Sequence, residues 1–258
     1  MTTSKFLALY PVFSLDQARA TLSGDVRQRI GRAVLQGRVI RLRREIFATV
    51  PADRESKSFL PSPYLVMPLE RPDAILAGHS ALELLGVAHS VWNTCVAYSR
   101  GRRGGFSILR TRYEVVGHPT PLGSWSDAHG VLLHERQGIP LQALGPERCL
   151  VDGFYRPRLF GGVVELVRSL DAVYALDMEL IREILSRYDK KNLYAAIGWF
   201  LERHSDRFSI PAELFRELAA RGPKSPVYLE KSVSRSQLVR PWNIYVPTEL
   251  MPGEEFLE

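Results

Sequence analysis

Seven arginines, Arg27, Arg29, Arg32, Arg38, Arg41, Arg43 and Arg44, fall between Asp25 and Val50, and only Asp25 and Glu45 offset them. A guanidinium group is always charged and presents a planar fork of donors that matches phosphate oxygens, so a cluster this dense has the chemistry of phosphate gripping. Seven bases less two acids place +5 of the chain's formal +6 in this one stretch. A basic cluster confined to a helix-and-hairpin segment is the electrostatic footprint of a nucleic-acid-binding module. The bland alternative is a solvated charged face, which ordinarily intersperses acids among the bases.

Other constellations carry less. His129 and His134 lie five apart, and His134-Glu135 opens a zinc-protease pattern without completing it. Glu55-Ser-Lys57 and Asp189-Lys-Lys191 match the acid-x-lysine fragment of a nuclease. The first falls in a linker and the second at a helix end, where neither is held on a core strand to face a metal-bound water. Asp152 and Glu165 flank Gly161-Gly162; the expected arrangement has Asp152 capping a helix or pairing with Arg156, and Glu165 on a helix surface. Arg100, Arg102 and Arg103 form a smaller basic patch on a glycine-rich turn, read as a solvated loop. Cys95 and Cys149 match no metal or redox spacing and read as buried small hydrophobes. The chain has no Walker loop, dinucleotide fingerprint or Gly-x-Ser-x-Gly elbow. The expectation is a non-enzyme with no catalytic residues, no metal and no cofactor.

The elements that must position the arginines follow from periodicity and punctuation. Lys5 to Tyr10 reads as a short helix ending before Pro11, because the residue before a proline is pushed out of the helical region. Ser14-Leu-Asp-Gln17 fits a capping box opening a second helix to about Leu22, and Ser23-Gly24 breaks it. A third helix from Asp25 to Gln36 gathers Val26, Ile30, Ala33 and Val34 on one face. Gln28, Gly31 and Arg32 then point outward with Arg27 and Arg29 on the flanks, and Gly37 ends the helix in a left-handed cap. Arg38 to Leu42 and Ile46 to Val50 read as a hairpin turning at Arg43-Arg44-Glu45. Three helices and a hairpin make a winged helix-turn-helix, with the third helix for the major groove and the hairpin against the backbone or minor groove. The expected DNA contacts are Arg27, Gln28, Arg29, Arg32, Arg38, Arg41, Arg43 and Arg44, with Gln28 and Arg32 as candidate base readers.

The proline-spotted stretch 51–62 reads as a linker, so the expected organisation is a winged helix-turn-helix domain at 1–50 and a larger mixed α/β domain at 63–258, an α+β chain overall. In the second domain Ala74 to Leu85 reads as a buried helix ending at Gly86, and Val91 to Ser99, Phe106 to Val116 and Gly130 to Glu135 as strands. Helices are expected at Glu147–Phe154, Gly162–Leu170, Met178–Tyr188, Lys191–Arg203 and Ala212–Ala220, with strand returning at Val227 and Trp242–Val246. Hydrophobic content of 45% sustains a core, and a pI near 9.4 points to an acidic polymer as partner. No run approaches the roughly 18 apolar residues of a membrane span, and the start lacks the h-region of a secretory signal. The expected compartment is the cytoplasm, with no membrane partner.

The N-terminal run, with its capped helix, basic third helix, glycine, and hairpin ending Ile46-Phe47-Ala48, resembles the winged-helix domain of the AbiEi antitoxins of bacterial abortive-infection toxin-antitoxin systems. Four later segments resemble that family in order and spacing: Ala77-Gly-His-Ser-Ala-Leu-Glu-Leu-Leu-Gly86, Glu147-Arg-Cys-Leu-Val-Asp-Gly153 through Gly161-Gly162, Ala195-Ala-Ile-Gly-Trp-Phe-Leu-Glu202, and Trp242-Asn-Ile-Tyr-Val-Pro247. The chain departs from it at the wing turn, where many members place glycine before the aromatic and this chain has Arg44-Glu45. The resemblance implies a repressor that binds inverted repeats in the promoter of its own operon, as a monomer or weak dimer acting cooperatively on double-stranded DNA. It also implies an antitoxin that neutralises a co-encoded nucleotidyltransferase-like toxin through its second domain, without a stable complex. The alternative is a protein- or RNA-binding module with the winged helix as a docking domain.

Overall fold

The computed structural model describes residues 1–230 and 235–251. Its secondary structure is mixed α+β, and the chain divides into two compact units. The first comprises Met1–Leu76, Asn93–Gly117 and Leu133–Gln142; the second comprises Ala77–Trp92, His118–Leu132 and Ala143–Glu258.

The first unit opens with helix α1 (Thr3–Leu9), strand β1 (Val12–Ser14), helices α2 (Leu15–Thr21) and α3 (Val26–Leu35), and the hairpin β2 (Val39–Arg43) and β3 (Ile46–Thr49). Local chemistry sets each boundary. Ser14 accepts from the Gln17 backbone N–H while the Gln17 side chain accepts from Ser14, a complete capping box. Asp25 caps α3 by accepting from the Gln28 N–H at 3.0 Å, and Gly37 stops it at a φ of 70°. Strand β1 is too short for a sequence pattern to register; it pairs antiparallel with β3, giving a small sheet ordered β1-β3-β2. The three helices pack on that sheet through Phe6, Phe13, Leu15, Ala18, Ile30, Ala33 and Val39, all buried. Phe13 is the hub, with its ring edge-on to Phe6 at 4.9 Å and stacked on Phe47 at 5.6 Å.

Helix α4 (Pro63–Glu70) follows, with Pro63 at its first turn, and then β4 (Ile75–Leu76) and, in the second unit, α5 (His79–Leu85). The sequence pattern merges these last two into one helix. Gly78 separates them by taking φ 59° and ψ −145°, a conformation that only glycine adopts at ease. The expected strand at 106–116 is likewise two, β6 (Gly104–Ile108) and β7 (Thr111–Val116), joined by a two-residue turn at Leu109-Arg110. With β5 (Thr94–Tyr98), β8 (Val131–Arg136) and β9 (Ile139–Leu144) they form a six-stranded sheet ordered β6-β7-β5-β4-β9-β8, in which β5 and β7 run parallel.

The second unit is chiefly helical: α6 (Pro146–Tyr155), α7 (Val163–Leu170), α8 (Met178–Tyr188), α9 (Lys191–Arg203) and α10 (Ala212–Arg221), then a small sheet of β10 (Val227–Tyr228), β12 (Ile244–Pro247) and β11 (Ser236–Val239) in that order. Helix α9 is buried from Leu193 to Leu201. Its Gly198 leaves room for the Trp242 ring, which fills the space a Cβ would take, and Trp242 Nε1 donates to Glu202 at 2.7 Å. Among the described residues no helix is long and apolar enough to cross a membrane.

Candidate nucleic-acid interface

The basic stretch folds into α3 and the β2–β3 hairpin, and a groove of about 370 Å³ runs between them. Ile30, Val34 and Phe47 floor it, while Arg27, Arg41, Arg44 and Glu45 rim it. Along the outward face of α3 lie Gln28, Gly31 and Arg32, all exposed, and Arg32 donates to Gln28 Oε1 at 2.6 Å. At Gly31 an added Cβ would meet nothing within 4 Å. A glycine in mid-helix costs about 0.5–1 kcal/mol relative to alanine, and here the protein's own packing does not require it.

The turn of the hairpin answers the missing glycine. Glu45 itself takes the left-handed position, at φ 65°. Its carbonyl accepts from the Leu15 N–H at 2.8 Å, and its carboxylate accepts from Arg27 at 3.3 Å. The turn is thus tied at once to the start of α2 and to α3, and these contacts offset the strain of a non-glycine residue there. A register shift between Arg41 and Arg43 on β2 accompanies it.

The structure does not bring all eight expected residues to one surface. Arg27, Arg41 and Arg44 border the groove, with Gln28 and Arg32 on the adjoining helix face. Arg29 is turned back into the fold: its Nε donates to Thr3 at 2.9 Å and its terminal nitrogens to the carbonyls of Ser23 and Met1, fastening α1 to α3. Arg38 donates to Ser4 at 3.1 Å and borders a different cleft, beside α1. Arg43 pairs with Glu70 at 3.0 Å and lies over the Phe106 ring at 5.1 Å, so it braces the hairpin against α4 and β6. Their partners stand 26, 34 and 27 residues away in sequence, where no spacing rule reveals them.

A second cleft, of about 490 Å³, shares Val34 and Arg41 with the first and is also lined by Lys57 and Arg110. The sequence pattern does not assign either cation to binding; what marks Arg110 is its place in a two-residue turn. By contrast the 100–103 turn is pinned from below. Asp73 accepts from Ser99 Oγ and from the N–H groups of Arg100 and Gly101. Burial pushes the Asp73 carboxyl up, but these donors outweigh it and hold it below its ordinary value.

The polar clusters of the second unit are internal. Arg148 and Asp152 are both fully buried and bonded at 2.9 Å, with Tyr188 donating to Asp152 at 2.7 Å, so Asp152 pairs with Arg148 rather than with Arg156. Glu165 is not a surface residue either. It accepts from His79 at 3.0 Å and from the Ser90 N–H at 2.9 Å, while the His79 ring stacks on Trp92 at 4.4 Å. Burial raises the Glu165 carboxyl; the bonds from His79 and Ser90 more than reverse this and leave it lowered. Both cysteines are buried, and their thiols donate to the carbonyls of Pro63 and Leu144. Among the described residues no three His, Cys, Asp or Glu side chains are grouped to hold a metal ion.

No protein-family profile matches this chain, and no curated protein matches it. Among solved structures, the RV2827C protein from Mycobacterium tuberculosis shares its fold over 94% of this chain and 89% of its own, with a TM-score of 0.61. The two are 18% identical, so the likeness is one of fold, and fold alone assigns no function.

Proposed function

We propose that residues 1–50 are a winged helix-turn-helix that binds double-stranded DNA, with α3 as the recognition helix and the β2–β3 hairpin as the wing. The observation that carries this reading is the open groove between α3 and the hairpin, rimmed by Arg27, Arg41 and Arg44. The first unit supports it, since 18 basic residues against 9 acidic give it a net +9. Arg41 and Arg44 grip phosphates, and Gln28 and Arg32 face base edges, where a paired amide and guanidinium present both donors and an acceptor. The open space over Gly31 suits a helix that must lie close against its ligand.

On the resemblance to the AbiEi antitoxins, we propose further that the protein represses its own operon at promoter inverted repeats and neutralises a co-encoded nucleotidyltransferase-like toxin. The DNA half is tested with the full chain. Arg41→Ala combined with Arg44→Ala weakens binding to every duplex and flattens the dependence of log K on log salt by about one unit for each phosphate that is no longer gripped. Substitution of Gln28 or Arg32 changes instead which sequences are selected from a random duplex pool. A double wing variant that binds duplex as tightly as wild type overturns the assignment. The antitoxin half is tested by growth rescue when this chain is co-expressed with the product of the neighbouring gene.

A further inference from the structure

We propose that the tight turn between β6 and β7, together with Lys57, is a second DNA contact that continues the α3–hairpin groove and grips phosphates beyond the reach of the recognition helix. The inference rests on the DNA-binding reading above and extends its footprint. Arg41, Lys57 and Arg110 all line the second cleft, and no carboxylate does. Because Val34 and Arg41 border both clefts, the two form one continuous basic strip rather than two separate patches. Lys57 and Arg110 are exposed and make no ion pair among the described residues, so neither charge is committed to holding the fold.

The strip crosses four pieces of chain that are remote in sequence: the end of α3, strand β2, residues 56–60 and the β6–β7 turn. Cations gathered into a line from separate elements match a linear polyanion with regularly spaced charges, the form of a duplex backbone. The strip is also braced. Arg43 of the hairpin pairs with Glu70 and lies over Phe106 of β6, and Phe106 stacks on Tyr113 of β7 at 4.8 Å, so the wing and the β6–β7 turn are carried on one packed support. The turn is as short as a hairpin allows, with Ile108 paired to Thr111. Leu109 takes φ 53°, a position that usually falls to asparagine or glycine. It is 54% exposed beside Arg110, offering apolar surface for a deoxyribose face next to a cation for its phosphate.

The test compares the full chain with a Lys57→Ala/Arg110→Ala variant by fluorescence anisotropy on a mixed-sequence duplex of about three helical turns, over a salt series. Removing two phosphate grips lowers the salt slope by about two units and weakens binding roughly 10- to 30-fold near physiological salt. Lys57→Arg/Arg110→Lys keeps both. On a duplex of about one turn the variant and wild type bind alike, because the added contact has no phosphates to meet. An unchanged slope and affinity on the long duplex, alongside weaker binding by the Arg41→Ala/Arg44→Ala variant, overturns the second contact and leaves the first reading standing. If both variants match wild type, the DNA reading fails with it. A defect that appears only with single-stranded RNA or an acidic protein also overturns the proposal.

Discussion

The first unit carries 18 basic residues against 9 acidic and the second 16 against 19, although both draw chiefly on arginine. Six of the second unit's twelve arginines are answered where they stand. Arg148, Arg182, Arg187, Arg203, Arg216 and Arg221 each pair with a carboxylate of the same unit. In the first unit Arg19, Arg27, Arg54 and Arg71 pair with carboxylates and Arg29 and Arg43 fasten elements together, while Arg32, Arg41, Arg44 and Arg110 have no ion pair among the described residues. The surplus charge therefore has two sources of similar weight, more bases and fewer acids than the longer second unit carries for its length. Arginine content alone would not separate the proposed binding face from a braced interior; the placement of counter-charges distinguishes the unpaired arginines from the buried Arg148.

That contrast breaks first at Arg148. Arg148→Met leaves Asp152 buried without its cation, and the expected loss is about 3–5 kcal/mol, read as an earlier transition in urea unfolding. Adding Asp152→Asn recovers a large part. If Arg148→Met left stability unchanged, the interior role given to this arginine would be wrong. Next is Glu165, whose lowered pKa means that its contribution is complete above the ordinary glutamate value of about 4.3 and is lost as the pH falls through its lower value in the folded protein. Glu165→Gln costs about 1.5–3 kcal/mol near neutral pH, the scale of a hydrogen bond to a charged group, and flattens the acid limb of stability. Urea melts at stepped pH check both. The smallest effect sharpens the other side of the comparison. Gly31→Ala stabilises the protein by about 0.5–1 kcal/mol in thermal melts, since the Cβ meets open space. The same change weakens duplex binding, so stability and affinity move in opposite directions.

Much of the helical framework was legible because its signals are local. The Ser14–Gln17 box, the Gly37 stop, and the limits of α8 and α9 all follow from capping, glycine and spacing within a few residues. What escaped is non-local or unsignalled. Strand β1 exists because β3 pairs with it, and the Leu109-Arg110 turn lacks the asparagine or glycine that would announce it. At the candidate interface the chemistry of the arginines was legible and their commitments were not. Arg29 and Arg43 are engaged by Thr3 and Glu70, contacts that only the fold creates. Lys57 and Arg110 reach the same cleft from separate segments for the same reason.

The seat that Gly198 provides for Trp242 has a consequence for descent as well as for packing. Two positions more than forty residues apart share a single volume, so neither can drift alone: a side chain gained at 198 must be matched by a smaller one at 242. Among homologous chains these two sites should therefore change together, and a lineage that has kept the glycine should have kept the ring. The glycine-centred helix and the tryptophan-led closing strand, which read as two separate marks along the sequence, would then be inherited as one.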